Sequence, residues 1–181
     1  MWANLAAVTE PWFDELAELL RIPSISADPA HAAEVLRAAD WVCAFIRDAG
    51  GTCDVIDWHG QPLAIGELRA STNADSAPTV LCYGHFDVQP PGDEAGWSAE
   101  PFGATLVDGW VVGRGIADDK GQLWLLLRAA ADLAAAGALP VDVRFVCDGQ
   151  EEIGKGSHQR IVIDLRSFNE RLARKSSQGA G

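Results

Sequence analysis

The chain has 181 residues, 48% of them apolar and 22% charged, a balance that suits one globular domain with a hydrophobic core and argues against disorder except near the C-terminal end. Fourteen basic against 26 acidic side chains give a net charge of -12, which repels phosphate backbones and anionic lipid, so nucleic acid and membrane surfaces are excluded as expected partners. No uncharged apolar run approaches the roughly twenty residues that span a bilayer.

Thr9 stands as an N-cap before "EPWFDELAELL", with Pro11 in the first turn and Trp12, Leu16, Leu19 and Leu20 on one helical face. Glu10, Asp14 and Glu15 come too early for a secretory signal, so a cytoplasmic chain is expected. "RIPSIS" breaks this helix, and a second one runs through "AHAAEVLRAADWVCAFIRDAG", where Val35, Ala39, Val42, Phe45 and Ile46 recur at helical spacing before Gly50 and Gly51 stop it. Extended segments are predicted at Cys53–Asp57 and Leu63–Leu68, then a polar loop over 69–78. Cys43, Cys53, Cys82 and Cys147 are scattered. Three of them lie in apolar runs where a reduced thiol packs as a small core residue, and no Cys-x-x-Cys pair is present.

"TVLCYG" is β-rich and apolar, of the kind found in interior strands. A long loop with Trp97 and Phe102 follows, and "ATLVDGWVVGRG" places Asp-Gly between two extended runs, a hairpin signal. From Lys120, "GQLWLLLRAAADLAAAG" predicts a helix apolar enough to be buried, with Gly137 as its stop, and "VDVRFVCDG" is another strand. This order predicts an α/β fold: a three-layer sandwich with a mixed, mostly parallel twisted sheet flanked by helices and ligands at the carboxyl ends of strands. After Ser157 the composition turns basic, and residues 159–181 read as a separate tail.

Three Gly-flanked acidic clusters follow extended runs or turns: "GHFD" with His85 and Asp87, "GRGIADDKG" with Asp118 and Asp119, and "DGQEEIGKG" with Glu151 and Glu152. Adjacent carboxylates in a cleft repel each other, and a divalent cation removes that cost. Within an acidic pair, one glutamate can hold the cation while its neighbour takes a proton from a water whose pKa the cation lowers, from about 15.7 to about 7 for zinc. "GRG" is not the dinucleotide fingerprint, and no phosphate loop is present for a nucleotide-binding domain.

"YGHFDVQPPGDEAGWSAEPFGATLVDGWVVGRGIADDKGQ" followed by "CDGQEEIGKGS", with "LLRIPSIS" and the "AADWV" helix upstream, resembles the M20 family of metallopeptidases, close to its dipeptidase (carnosinase-like) branch. The resemblance covers about residues 9–157. It implies the zinc-peptidase-like catalytic fold and a site with two divalent metal ions, zinc or in some members manganese. By motif position, His85, Asp118 and Glu152 match metal ligands, with Asp118 bridging both ions. Asp87 matches the aspartate that orients His85, Glu151 the general base, and Asp118–Asp119 a non-proline cis peptide. The implied reaction is hydrolysis of amide bonds in dipeptides or short peptides. The alternatives are an N-acyl-amino-acid deacylase of the same family and a non-catalytic remnant that binds a metal or a partner.

Family members are considerably longer and often homodimeric. They carry a further aspartate ligand, a lid and dimerisation domain and a late histidine ligand, none evident here; Asp164 comes too soon after Glu152, and His158 lies in no matching motif. The expectation is therefore the N-terminal part of a catalytic domain over residues 1–158 without its lid domain, with little or no activity alone. The helix around Trp124 is the expected place for an uncovered face that favours self-association.

Overall fold

The computed structural model describes residues 11–154. Thr9, Asp164, His158 and the division near residue 158 lie outside them. Helix α1 spans Pro11–Leu20 and buries Phe13, Leu16, Ala17, Leu19 and Leu20. Trp12, expected on that face, is 43% exposed, because the buried stripe centres on Phe13 and Leu16; its ring flanks Trp124 at 6.2 Å. Helix α2, Ala32–Asp48, follows a single 3-10 turn capped by Asp28, whose carboxylate accepts the Ala30 N–H at 2.9 Å. It buries Val35, Ala38, Ala39, Val42, Cys43 and Ile46.

Strands β1, Thr52–Trp58, and β2, Gln61–Leu68, form an antiparallel hairpin in register Trp58↔Gln61. Its two-residue turn is His59-Gly60, both at positive φ, the arrangement of a primed turn. β3, Thr79–His85, and β6, Asp142–Asp148, complete a sheet of order β1-β2-β6-β3. β4, Thr105–Val107, and β5, Trp110–Val112, form the hairpin that Asp108-Gly109 predicted, both turn residues at positive φ. Helix α3, Lys120–Ala135, carries the chain from β3 back to its parallel neighbour β6.

The α/β class and the mixed sheet are as expected. Parallel pairing among the described strands, however, is confined to β3 with β6, apart from an isolated bridge of Ile25 with Val88, because the β1–β2 hairpin adds its strands antiparallel. α2 and α3 pack on one face of the sheet around Phe145, Cys147, Ala64 and Phe86, while α1 packs on α3 through Phe13, Leu16 and Trp124. Leu63, Ile65 and Val146 form a separate cluster on the opposite face, to which none of the three α-helices contributes. No described helix is long and apolar enough to cross a membrane.

Three expectations change. β3 is an edge strand among the described residues, not an interior one, and Val80 is 44% exposed; apolar β-propensity does not say which side of a strand is paired. α3, expected to be apolar enough to be buried, covers Trp124 but leaves Leu125, Leu126 and Leu133 exposed, so the uncovered apolar surface lies on the helix around Trp124, where it was expected. Cys43 and Cys53, read as reduced, form a disulfide joining α2 to β1 with their Cα atoms 5.1 Å apart; only the packing of helix on strand brings them together. Cys82 and Cys147 are free thiols whose pKa values burial pushes up.

Candidate metal centre

The centre sits at the carboxyl ends of the two parallel strands, where an α/β sheet leaves room between diverging loops. His85 is the last residue of β3, and Glu151 and Glu152 form a 3-10 turn three residues past the end of β6. Asp118 and Asp119 precede α3, and the bond between them is cis. Paired register places His85 opposite Asp148, so the two strand ends arrive together.

His85, Asp118 and Glu152 converge, each offering one ligand atom within 4.8 Å of the others. The His85 imidazole is buried and oriented from below: Nδ1 lies 3.1 Å from the Asp87 carbonyl oxygen and 3.4 Å from its carboxylate. That leaves Nε2 facing Asp118 Oδ1 at 2.9 Å, the arrangement in which a second partner fixes which ring nitrogen points into a site. Asp118 has a side chain 75% exposed and closes the group from the solvent side. Glu152 is held by Gln89, whose side-chain amide donates to the Glu152 carbonyl at 2.8 Å and to its carboxylate at 2.9 Å.

Asp87 is fully buried and organises both strand-end loops. Its Oδ1 accepts the Glu151 N–H at 3.2 Å, and its Oδ2 accepts the Glu152 N–H at 3.1 Å and the Ser26 hydroxyl at 2.5 Å. Asp119 turns away from the group and accepts the His85 backbone N–H at 3.1 Å. That approach depends on Gly84, where a Cβ would stand 2.9 Å from the same carboxylate oxygen.

Electrostatics mark the place as built for charge. Burial alone would lower the His85 pKa, but hydrogen bonding and charge from Asp87, the bond to Asp118 and the charge of Asp119 outweigh it and push the value up to about 9. Burial raises the Asp119 carboxyl. Lys120 is buried, and burial lowers its pKa to about 7 against the pull of Asp87; its ammonium donates to the carbonyls of Leu19 and Ile22 at 3.0 and 2.6 Å, capping the end of α1. One imidazole nitrogen from the end of β3 and two carboxylates from separate loops form a donor set that fits a divalent cation of zinc-like or manganese-like character.

The fold is that of a peptidase-type α/β domain, and the chain belongs to Peptidase family M20/M25/M40, whose model matches residues 81–175. It is 32% identical to the Beta-Ala-His dipeptidase of Rattus norvegicus over 77% of this chain and 30% of that protein. It is 36% identical to succinyl-diaminopimelate desuccinylase 2 of Shewanella loihica over 86% of this chain and 38% of that protein. The solved structure of human carnosine dipeptidase 1 superposes with a TM-score of 0.74 at 28% identity, covering 84% of this chain and 34% of that one. The chain thus spans about a third of the length of the curated relatives it matches.

Of the five site residues expected from sequence, His85, Asp87, Glu151 and Glu152 lie at or just past the ends of β3 and β6, and Asp118 lies just before α3. Ser26, Gln89 and Lys120 were not anticipated. Hydroxyl and amide side chains in loops are too common to stand out, and their partners are 61, 63 and about a hundred residues away in sequence.

Proposed function

We propose that this chain carries part of the active site of a metal-dependent hydrolase of amide bonds in dipeptides or short peptides. His85, Asp118 and Glu152 would hold a divalent cation, zinc or manganese, and their convergence within 4.8 Å is the observation that carries the proposal. Such a cation polarises a substrate carbonyl and lowers the pKa of a nearby water. Glu151, adjacent to a ligand and tethered through its own N–H to Asp87, is the general base that accepts the proton of the attacking water. Asp87 keeps the His85 ring in place and sets the backbone of the Glu151–Glu152 turn. Asp118 and Glu152 come from different loops, and a cation held between them would offset the repulsion of two carboxylates brought close together.

The three donors found among the described residues, beside an exposed rim, would grip a cation less firmly than a closed four-ligand site and exclude water poorly. The 181-residue polypeptide alone is therefore expected to bind metal and to cleave dipeptides weakly or not at all. Metal content per chain after dialysis, followed by a dipeptide cleavage assay with added zinc or manganese, tests both parts. Absence of bound metal sinks the site; robust turnover lost in Glu151→Gln sinks the expectation of weak activity.

The similarity to a desuccinylase favours a second substrate class, N-acyl amino acids, on the same residues. Cleavage of an N-succinyl amino acid in preference to dipeptides would select it. A cytoplasmic location is part of the proposal, with the free thiols Cys82 and Cys147 in its favour. A Cys43–Cys53 bond persisting in thiol-blocked cell extracts would count against it.

A further inference from the structure

We propose that Ser26 is a positioning residue of the metal centre, its buried hydroxyl holding the Asp87 carboxylate in the rotamer that sets the Glu151–Glu152 turn. The inference rests on the metal-centre assignment above and extends it to a segment 59 residues upstream of His85. A fully buried carboxylate needs donors for both oxygens, and those of Asp87 are identifiable. Oδ1 takes the Glu151 N–H and faces His85 Nδ1; Oδ2 takes the Glu152 N–H and the Ser26 O–H. Three of these four belong to the centre's own loops. Ser26 is the donor that ties them to the rest of the domain, at 2.5 Å, the short separation of a hydroxyl bonded to a charged acceptor.

The segment carrying Ser26 is itself fixed. Ile25 bridges Val88 in parallel, the Val88 N–H donates to the Ser24 carbonyl at 2.9 Å, and the Ser24 hydroxyl donates to the Phe86 carbonyl at 2.6 Å. Just upstream, Lys120 binds the carbonyls of Leu19 and Ile22. Residues 19–26 are thus pinned between the start of α3 and the end of β3, and cannot follow Asp87 if it moves. Ser24 and Ser26 differ in what they hold. Ser24 secures backbone, whereas Ser26 bonds the carboxylate that in turn holds both glutamate amides and His85.

The two serines make a matched test on the full chain. Metal-free protein is titrated with zinc and separately with manganese by calorimetry, and amide hydrogen exchange over residues 149–154 is followed without metal. Ser26→Ala is expected to weaken metal binding about 10-fold, the low end for losing an outer partner of a ligand, and to speed exchange at Glu151 and Glu152. Ser24→Ala is expected to lower thermal stability while leaving both readouts at wild-type values. Wild-type affinity and exchange in Ser26→Ala, or equal losses in both variants, would overturn the proposal. Failure of the wild-type chain to bind either metal would instead retire the metal-centre assignment, and the exchange comparison, made without metal, would still decide the role of Ser26.

Discussion

The two ends of β3 behave differently although one run of seven residues forms both. Thr79, Val80 and Leu81 stand exposed on an edge that no described strand pairs, while Gly84 and His85 are buried against α3 and the His85 N–H donates to Asp119. The apolar half is the unfinished half, and the polar half is the finished one. At the carboxyl end the buried Asp87 carboxylate and the His85 ring both have their partners; at the amino end, and along Leu125, Leu126 and Leu133 of α3, apolar surface faces solvent. Hydrogen-bond satisfaction, more than hydrophobic burial, defines the functional end of the sheet.

Breaking the finished end should do the most damage. Asp87→Ala strands two backbone N–H groups and the Ser26 hydroxyl in a buried site, and is expected to destabilise the chain by about 3–5 kcal/mol in urea unfolding and to abolish metal binding. Phe145→Ala, in the core beneath the helices, should cost a similar 3–5 kcal/mol but affect metal binding only through stability. A loss under about 1 kcal/mol for either would show that the strand ends are less tightly packed than described.

His85 gives an intermediate effect with a definite sign. Its folded pKa, about 9, lies above the ordinary 6.5, so its charged form stabilises metal-free protein fully below about pH 6.5, and this contribution fades as pH rises toward 9. A cation must also displace that proton, so zinc or manganese affinity should rise over the same interval with proton release on binding. Calorimetry in buffers of different ionisation enthalpy measures the proton directly, and a pH-independent affinity would remove His85 from the ligand set.

The unfinished end should respond least in stability. Leu125→Gln and Val80→Lys are expected to change unfolding free energy by no more than about 0.5 kcal/mol. They should nonetheless reduce concentration-dependent association in sedimentation, since they break exposed apolar surface. Association unchanged by both would mean that this surface drives none of it.

Legibility in the sequence follows the same division. Helical periodicity announced α1, α2 and α3, Asp108-Gly109 announced its hairpin, and the Gly-flanked clusters marked His85, Asp87, Asp118, Glu151 and Glu152 because acidic and imidazole groups beside glycine are locally distinctive. What depended on distant packing was hidden. The Cys43–Cys53 bond, the edge position of β3 and the grip of Ser26 on Asp87 each join segments that nothing in local spacing relates. The β1–β2 turn was missed for a narrower reason: His59 stands where Asn or Asp usually signals a primed turn.

The central claim is that His85, Asp118 and Glu152 form one cation site. Its most direct measurement is the zinc and manganese affinity of the full chain beside His85→Ala, Asp118→Asn and Glu152→Gln, each checked for folding by far-ultraviolet circular dichroism. Binding by the wild-type chain and a loss of at least about 10-fold in every variant are expected. Wild-type binding that survives all three substitutions would contradict the claim.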